Sequence, residues 1–185
     1  GTYLVHLSNS ELGETVSHQI ARMLHSIGDF ERMGDHALNI CQLAEEMHGK
    51  GIKFSDDALK EISTVETAIT EIVNMTVDSF IKDDDELSSH IEPLEEVIDN
   101  LKKQLKAKHI SRLQKGECTI ELGFIFTDLL TNFERISDHC SNVAVYTMQL
   151  SGEKLDTHKY LNKIKHSAVG NFVDDYNMYE NKYKV

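Results

Sequence analysis

The chain has 185 residues, enough for one domain with a real core or two small bundles sharing an interface. Its 40% hydrophobic and 27% charged residues, with one Pro and no Trp, fit a helical globular protein. A formal charge of -12 argues against nucleic acid, which needs a basic footprint, and against docking on anionic lipid by charge alone.

Three cysteines, Cys41, Cys118 and Cys140, with no C-x-x-C, make a disulfide framework improbable and a reducing compartment the default. Cys41 and Cys140 fall in helical patterns and are expected as small buried hydrophobes. No stretch reaches the apolar length that crosses a bilayer. The chain opens Gly1-Thr2-Tyr3 without Met, which reads as an expression scar followed by part of something longer.

In chain order, YLVHLS (3–8) looks like the tail of an interrupted element. Ser10-Glu11 opens an amphipathic helix that ends near Gly49 and Gly51. Ser55-Asp56-Asp57 caps a helix through about Ile81, with Ile62, Val65, Ile69, Ile72, Val73 and Val77 at three-and-four spacing. The acidic run 83–86 turns the chain into a segment reaching about Leu113, where Pro93 predicts a kink or restart. Leu94, Val97, Ile98, Leu101 and Leu105 carry its apolar stripe. Gly116 marks the next turn, a long helix covers roughly 118–150, and a last helix is expected over 155–180, with Leu161, Ile164, Ala168 and Phe172 on one side. With no useful β alternation, the chain is all-α, about five helices mostly longer than average. Long antiparallel helices with short connections imply bundles.

Two of these helices share nearly the same words: FERMGDHALNI at 30–40 and FERISDHCSNV at 133–143, offset by 103 residues. Period and length together indicate duplicated units. Glu31 and Asp35, and likewise Glu134 and Asp138, lie one helical turn apart on one face. Like charges at that spacing cost about 0.2–0.5 kcal/mol on an exposed helix, so something must offset them or the cost is tolerated. Asn39 and Asn142 extend the stripe by a turn. Arg32 and His36, with Arg135 and His139, form a neighbouring stripe. Phe30, Met33, Ala37 and Ile40, and Phe133, Ile136, Cys140 and Val143, carry the apolar face. Paired carboxylates on a helix are one way for a bundle to hold a hard cation, with facing helices completing the shell. Glu95 and Asp99 repeat the spacing on the preceding helix and, if those two helices pack antiparallel, face Glu134 and Asp138. Acidic pairs are also common on solvated faces, and a helical His is commonly a packed, hydrogen-bonded one.

An E-R-x-x-D motif, preceded by an apolar residue and followed by x-x-x-N-[IV], resembles the signature of PhoU domains. That resemblance implies two three-helix bundles related by duplication, with one motif on the last helix of each. Residues 1–50 would then hold the last helix (about 10–48) of a truncated first repeat. Residues 54–150 would form a complete second repeat from helices 54–82, 84–113 and 118–150, leaving 155–185 as an added helix and tail. With SNSELGETVSHQIARMLHSIGDFERMGDHALNI, the arrangement looks most like the cytoplasmic C-terminal region of bacterial sodium-phosphate cotransporters. The implied role is regulatory or accessory, without catalysis, on the cytoplasmic side of the membrane, with the membrane-spanning transporter portion as partner and possible homo-oligomers. Some PhoU-like proteins hold metal clusters on such motifs. By that resemblance Glu31, Asp35, Glu134 and Asp138, then Glu95 and Asp99, are candidate ligands for iron, manganese, zinc or magnesium, and His36, His139, Asn39 and Asn142 are candidate binding residues. The second pair is the stronger candidate, because this chain supplies the helices around it.

Two other readings stand beside this one. A di-metal carboxylate enzyme would need Glu-x-x-His, but Gly34 and Ser137 occupy the third position after the motif glutamates. Walker, G-x-S-x-G and H-E-x-x-H motifs are absent as well. A plain helical oligomerisation module would follow from an apolar stripe left without partners.

Overall fold

The computed structural model describes residues 14–148 and 172–185. Among them are six helical segments and no strand: α1 (Glu14–Lys50), α2 (Asp56–Lys82), α3 (Asp85–Ser89), α4 (Ile91–Gln114), α5 (Ile120–Met148) and α6 (Phe172–Lys182). The expected tail at 3–8 lies outside the described residues. So does 155–171 of the expected last helix, including Leu161, Ile164 and Ala168.

Local chemistry sets the boundaries. The Ser55 hydroxyl accepts the Ala58 N–H and caps α2. Asp83 ends α2 in the left-handed region at φ 58°, a conformation Asp tolerates better than most residues. The Asp84 carboxylate then accepts the Leu87 N–H at 2.9 Å and starts α3. The segment reaching about Leu113 restarts at His90, three residues before Pro93, the residue predicted to mark a kink or restart. Pro93 is buried at the third position of α4, where a missing N–H costs nothing because first-turn donors lack helical partners anyway. Gly116, at φ 71°, turns the chain into α5.

α2, α4 and α5 form a three-helix bundle with α3 as its corner, and α1 lies along α5. Pairs Glu92–Ser141, Lys102–Glu134 and His109–Phe126 show that α4 and α5 run antiparallel. The expected stripe residues Val65, Ile69, Ile72, Leu94, Val97, Ile98, Leu101 and Leu105 are all in the core, as are Phe126, Phe133, Ile136, Cys140 and Val143. Burying each such large side chain contributes about 1.5–3 kcal/mol. At the far end of the bundle Glu61 receives both Arg112 amines at 3.0 and 2.8 Å, and the Arg112 guanidinium lies 5.6 Å from the Phe126 ring centre.

Two expectations fail on α1. Cys41 is exposed, as is Ala37 of the expected apolar face. Helix α1 has α5 along one side, and both residues point away from it, whereas their repeat equivalents Ala144 and Cys140 are enclosed by the bundle.

Candidate functional site

The duplicated words meet one another. His36 Nδ1 donates to Asn132 Oδ1 at 2.8 Å, and Asn39 Nδ2 donates to the same oxygen at 3.2 Å. Across the joint, His139 Nδ1 donates to Asp29 Oδ1 at 2.8 Å and Asn142 Nδ2 to that oxygen at 3.3 Å. Asp29 and Asn132 are themselves 103 residues apart, so the two sets are equivalent under the repeat. The bonds run antiparallel between α1 and α5, and the repeat relation makes the joint quasi-two-fold. Asp29 is 4% exposed and sealed by the contact. Met33 and Cys140 add a sulfur contact of 3.4 Å beside it.

The four candidate binding residues His36, His139, Asn39 and Asn142 thus bond across the joint between α1 and α5. Sequence reasoning missed their acceptors, Asp29 and Asn132. The available signal was that the repeat extends one residue further toward the N-terminus if Asp and Asn are counted as alike.

The carboxylates of the two copies differ in exposure. Glu31 and Asp35 are exposed on α1. Glu134 and Asp138 are partly buried on α5, with Glu134 paired to Lys102 of α4 and Asp138 bonded to Arg135 at 2.9 Å. Asp99 is paired with Lys103 at 2.7 Å, and the bracketing pairs Glu92–Ser141 and Lys102–Glu134 place the Glu95–Asp99 turn alongside the second motif. Burial, then the neighbouring Glu134 charge, pushes the Asp138 carboxyl above its usual range, although Arg135 opposes this. The donor types suit a hard cation. As arranged, however, side-chain cations compensate Glu134, Asp138 and Asp99, and among the described residues no group of three or more His, Cys, Asp or Glu side chains converges on a metal position. The arrangement alone is a charge-compensated acidic patch.

Residues 62–147 match the PhoU domain family. The chain is 26% identical over 124 residues to phosphate-specific transport system accessory protein PhoU homolog 1 of Thermotoga maritima, covering 67% of this chain and 53% of that protein. It is 21% identical over 131 residues to the phosphate-specific transport system accessory protein PhoU homolog of Clostridium acetobutylicum, covering 70% and 58%. The chain thus spans a little over half the length of these relatives. No solved structure matches it. The resemblance to a PhoU-like helical domain therefore holds, and no helix among the described residues is long and apolar enough to cross a membrane.

Proposed function

We propose that this chain is a regulatory or accessory domain of phosphate transport that acts by protein contact rather than catalysis. The observation that carries the reading is the PhoU match over the bundle, joined to a duplicated motif whose two copies interlock. Its partner is the membrane-spanning portion of a sodium-dependent phosphate transporter in the same full-length protein, and the domain works on the cytoplasmic side, tethered through that portion. The motif joint fixes α1 against the bundle so that one rigid surface, not a flexible pair of helices, meets the transporter. Phosphate uptake by the full-length transporter, with and without this domain, tests the proposal. Altered dependence of uptake on phosphate supply supports it; identical uptake refutes it.

A metal-binding role is proposed for the same acidic patch. Glu134 and Asp138 on α5 and Glu95 and Asp99 on α4 would be the ligands, with Glu31 and Asp35 secondary on their exposed helix. The placement supports this: Glu134 and Asp138, partly buried one turn apart on α5, lie alongside the Glu95–Asp99 turn of α4. Binding would require Lys102 to leave Glu134. Elemental analysis of protein purified without chelators tests it, and protein that neither carries metal nor takes it up would refute it.

A further inference from the structure

Charge is unevenly placed in this acidic chain. Lys102, Lys103, Lys106, Lys108, Arg112 and Lys115 crowd the second half of α4 and its end, and no Asp or Glu occurs from 100 to 116. Lys108 and Arg112 turn toward Glu61 of α2, and Lys102 toward Glu134 of α5. Lys103 is paired only with Asp99, one turn back on its own helix, and is itself 64% exposed. Such a surface pair holds a lysine weakly. Lys106 and Lys115 are exposed and form no ion pair among the described residues.

Large apolar side chains reach solvent at the same end of the bundle. Ile110 of α4 is 47% exposed, and Ile120 and Phe124 of α5 are 74% and 69% exposed. The packing of the two helices puts them on one face. The His109 ring stacks on Phe126 at 4.9 Å, and a Cβ on Gly123 would meet its Nε2 at 2.8 Å, so α4 and α5 touch at His109 and Gly123. Ile110 and Phe124 each follow one of these contact residues by one position. In an antiparallel pair, the next residue of each helix turns to the same side. Lys103 and Lys106, two turns and one turn before Ile110, continue its stripe, and Ile120 continues that of Phe124. Scattered apolar residues on a surface need no explanation, but three beside lysines on one face do.

We propose that this end of the α4–α5 face docks on an anionic membrane surface. Phe124, Ile120 and Ile110 enter the headgroup layer, while Lys103 and Lys106 meet lipid phosphates. Lysines beside large apolar side chains are what an interfacial surface requires: the apolar groups supply burial, and the cations supply attraction to anionic lipid. The formal charge of -12 opposes such a membrane for the chain as a whole, and Glu134 and Asp138 carry that opposition at the other end of the same face. Contact is therefore confined to the basic end, and the bundle stands on it rather than lying flat. This goes beyond the regulatory reading and does not depend on it, because a bare lipid surface suffices.

The chain has no Trp, so Phe124→Trp supplies a single fluorescent reporter at an exposed position. With vesicles of phosphatidylcholine and phosphatidylserine its emission shifts to the blue and is quenched by brominated acyl chains. Vesicles of phosphatidylcholine alone produce neither effect. Ile81→Trp, on an equally exposed residue at the opposite end of the bundle, stays unshifted. Adding Lys103→Glu/Lys106→Glu to the Phe124→Trp chain weakens vesicle binding at least about tenfold, and salt weakens it in the same direction. Flotation of the wild-type chain with the same vesicles gives a readout free of any substitution. No association with the anionic vesicles overturns the proposal, as does equal association with both lipid mixtures or an equal response from Ile81→Trp. Blue-shifted Phe124→Trp emission before lipid is added also overturns it, because the chain itself or a second copy would then cover the face.

Discussion

The imidazole rings of His36 and His139 stack across the α1–α5 joint, 5.8 Å between centres and inclined by 25°. Each gives its Nδ1 proton to the residue seven positions before the other ring: His36 to Asn132, and His139 to Asp29. A seven-residue spacing is two helical turns, so ring and acceptor share one face and a single crossing serves both bonds. Duplication thus produced a self-complementary polar contact, with one carboxylate and one amide in equivalent places.

Asp29→Ala removes the acceptor of both His139 and Asn142 and leaves a largely buried imidazole N–H unpaired. The expected loss is about 1–3 kcal/mol in urea unfolding. Asp29→Asn recreates the arrangement already present at Asn132 and loses much less. Equal losses for the two variants would show that the hydrogen bonds do not hold the joint.

The helices were legible because their signals are local. The Ser55 cap, the 83–86 turn and the Gly116 break each act within a few residues. Exposure on α1 was not, because an apolar-looking stripe says nothing about whether a partner helix exists; Cys41 and Ala37 show this. Nor could spacing distinguish a ligand from a lysine-paired carboxylate at Glu134, since Lys102 lies on another helix. The motif histidines were visible as candidates, but their acceptors emerge only once the antiparallel register of α1 and α5 is known.

Asp138→Asn is expected to stabilise the protein at neutral pH. The folded state raises this carboxyl's pKa through burial and the Glu134 charge, so folding favours its protonated form. That contribution is full below the unfolded carboxylate range and is lost as pH rises through the raised value. Thermal melts should place the variant above wild type at pH 7, with the gap closing in acid. A variant less stable at pH 7 would mean that the Arg135 bond outweighs burial.

His109 behaves with the opposite sign. Burial first, then the Arg112 charge, lowers its pKa, and its ring stacks on Phe126 at 4.9 Å. Folding favours the neutral ring, so its contribution is intact above the unfolded histidine value of about 6.5 and is lost as pH falls toward the lowered one. His109→Phe should therefore show less loss of stability between pH 7 and pH 5 than the wild type. Parallel pH profiles would contradict this.

Lys102→Met removes the cation paired with Glu134 while keeping an apolar stem in the same place. If the acidic patch takes metal, this variant retains more manganese, iron or zinc than wild type after equal loading and desalting. Glu134→Gln/Asp138→Asn retains less. Metal contents that do not differ among the three proteins would remove the patch from consideration.

The most direct measurement is radiolabelled phosphate uptake by cells carrying the full-length protein in three forms: wild type, domain deleted, and Asp29→Ala/Asn132→Ala. The double variant breaks both halves of the joint without touching the acidic patch. The prediction is that uptake in the double variant, present at normal abundance, responds to phosphate supply as the deletion does and unlike wild type. Uptake in the deletion that matches wild type at every phosphate concentration would contradict a regulatory role.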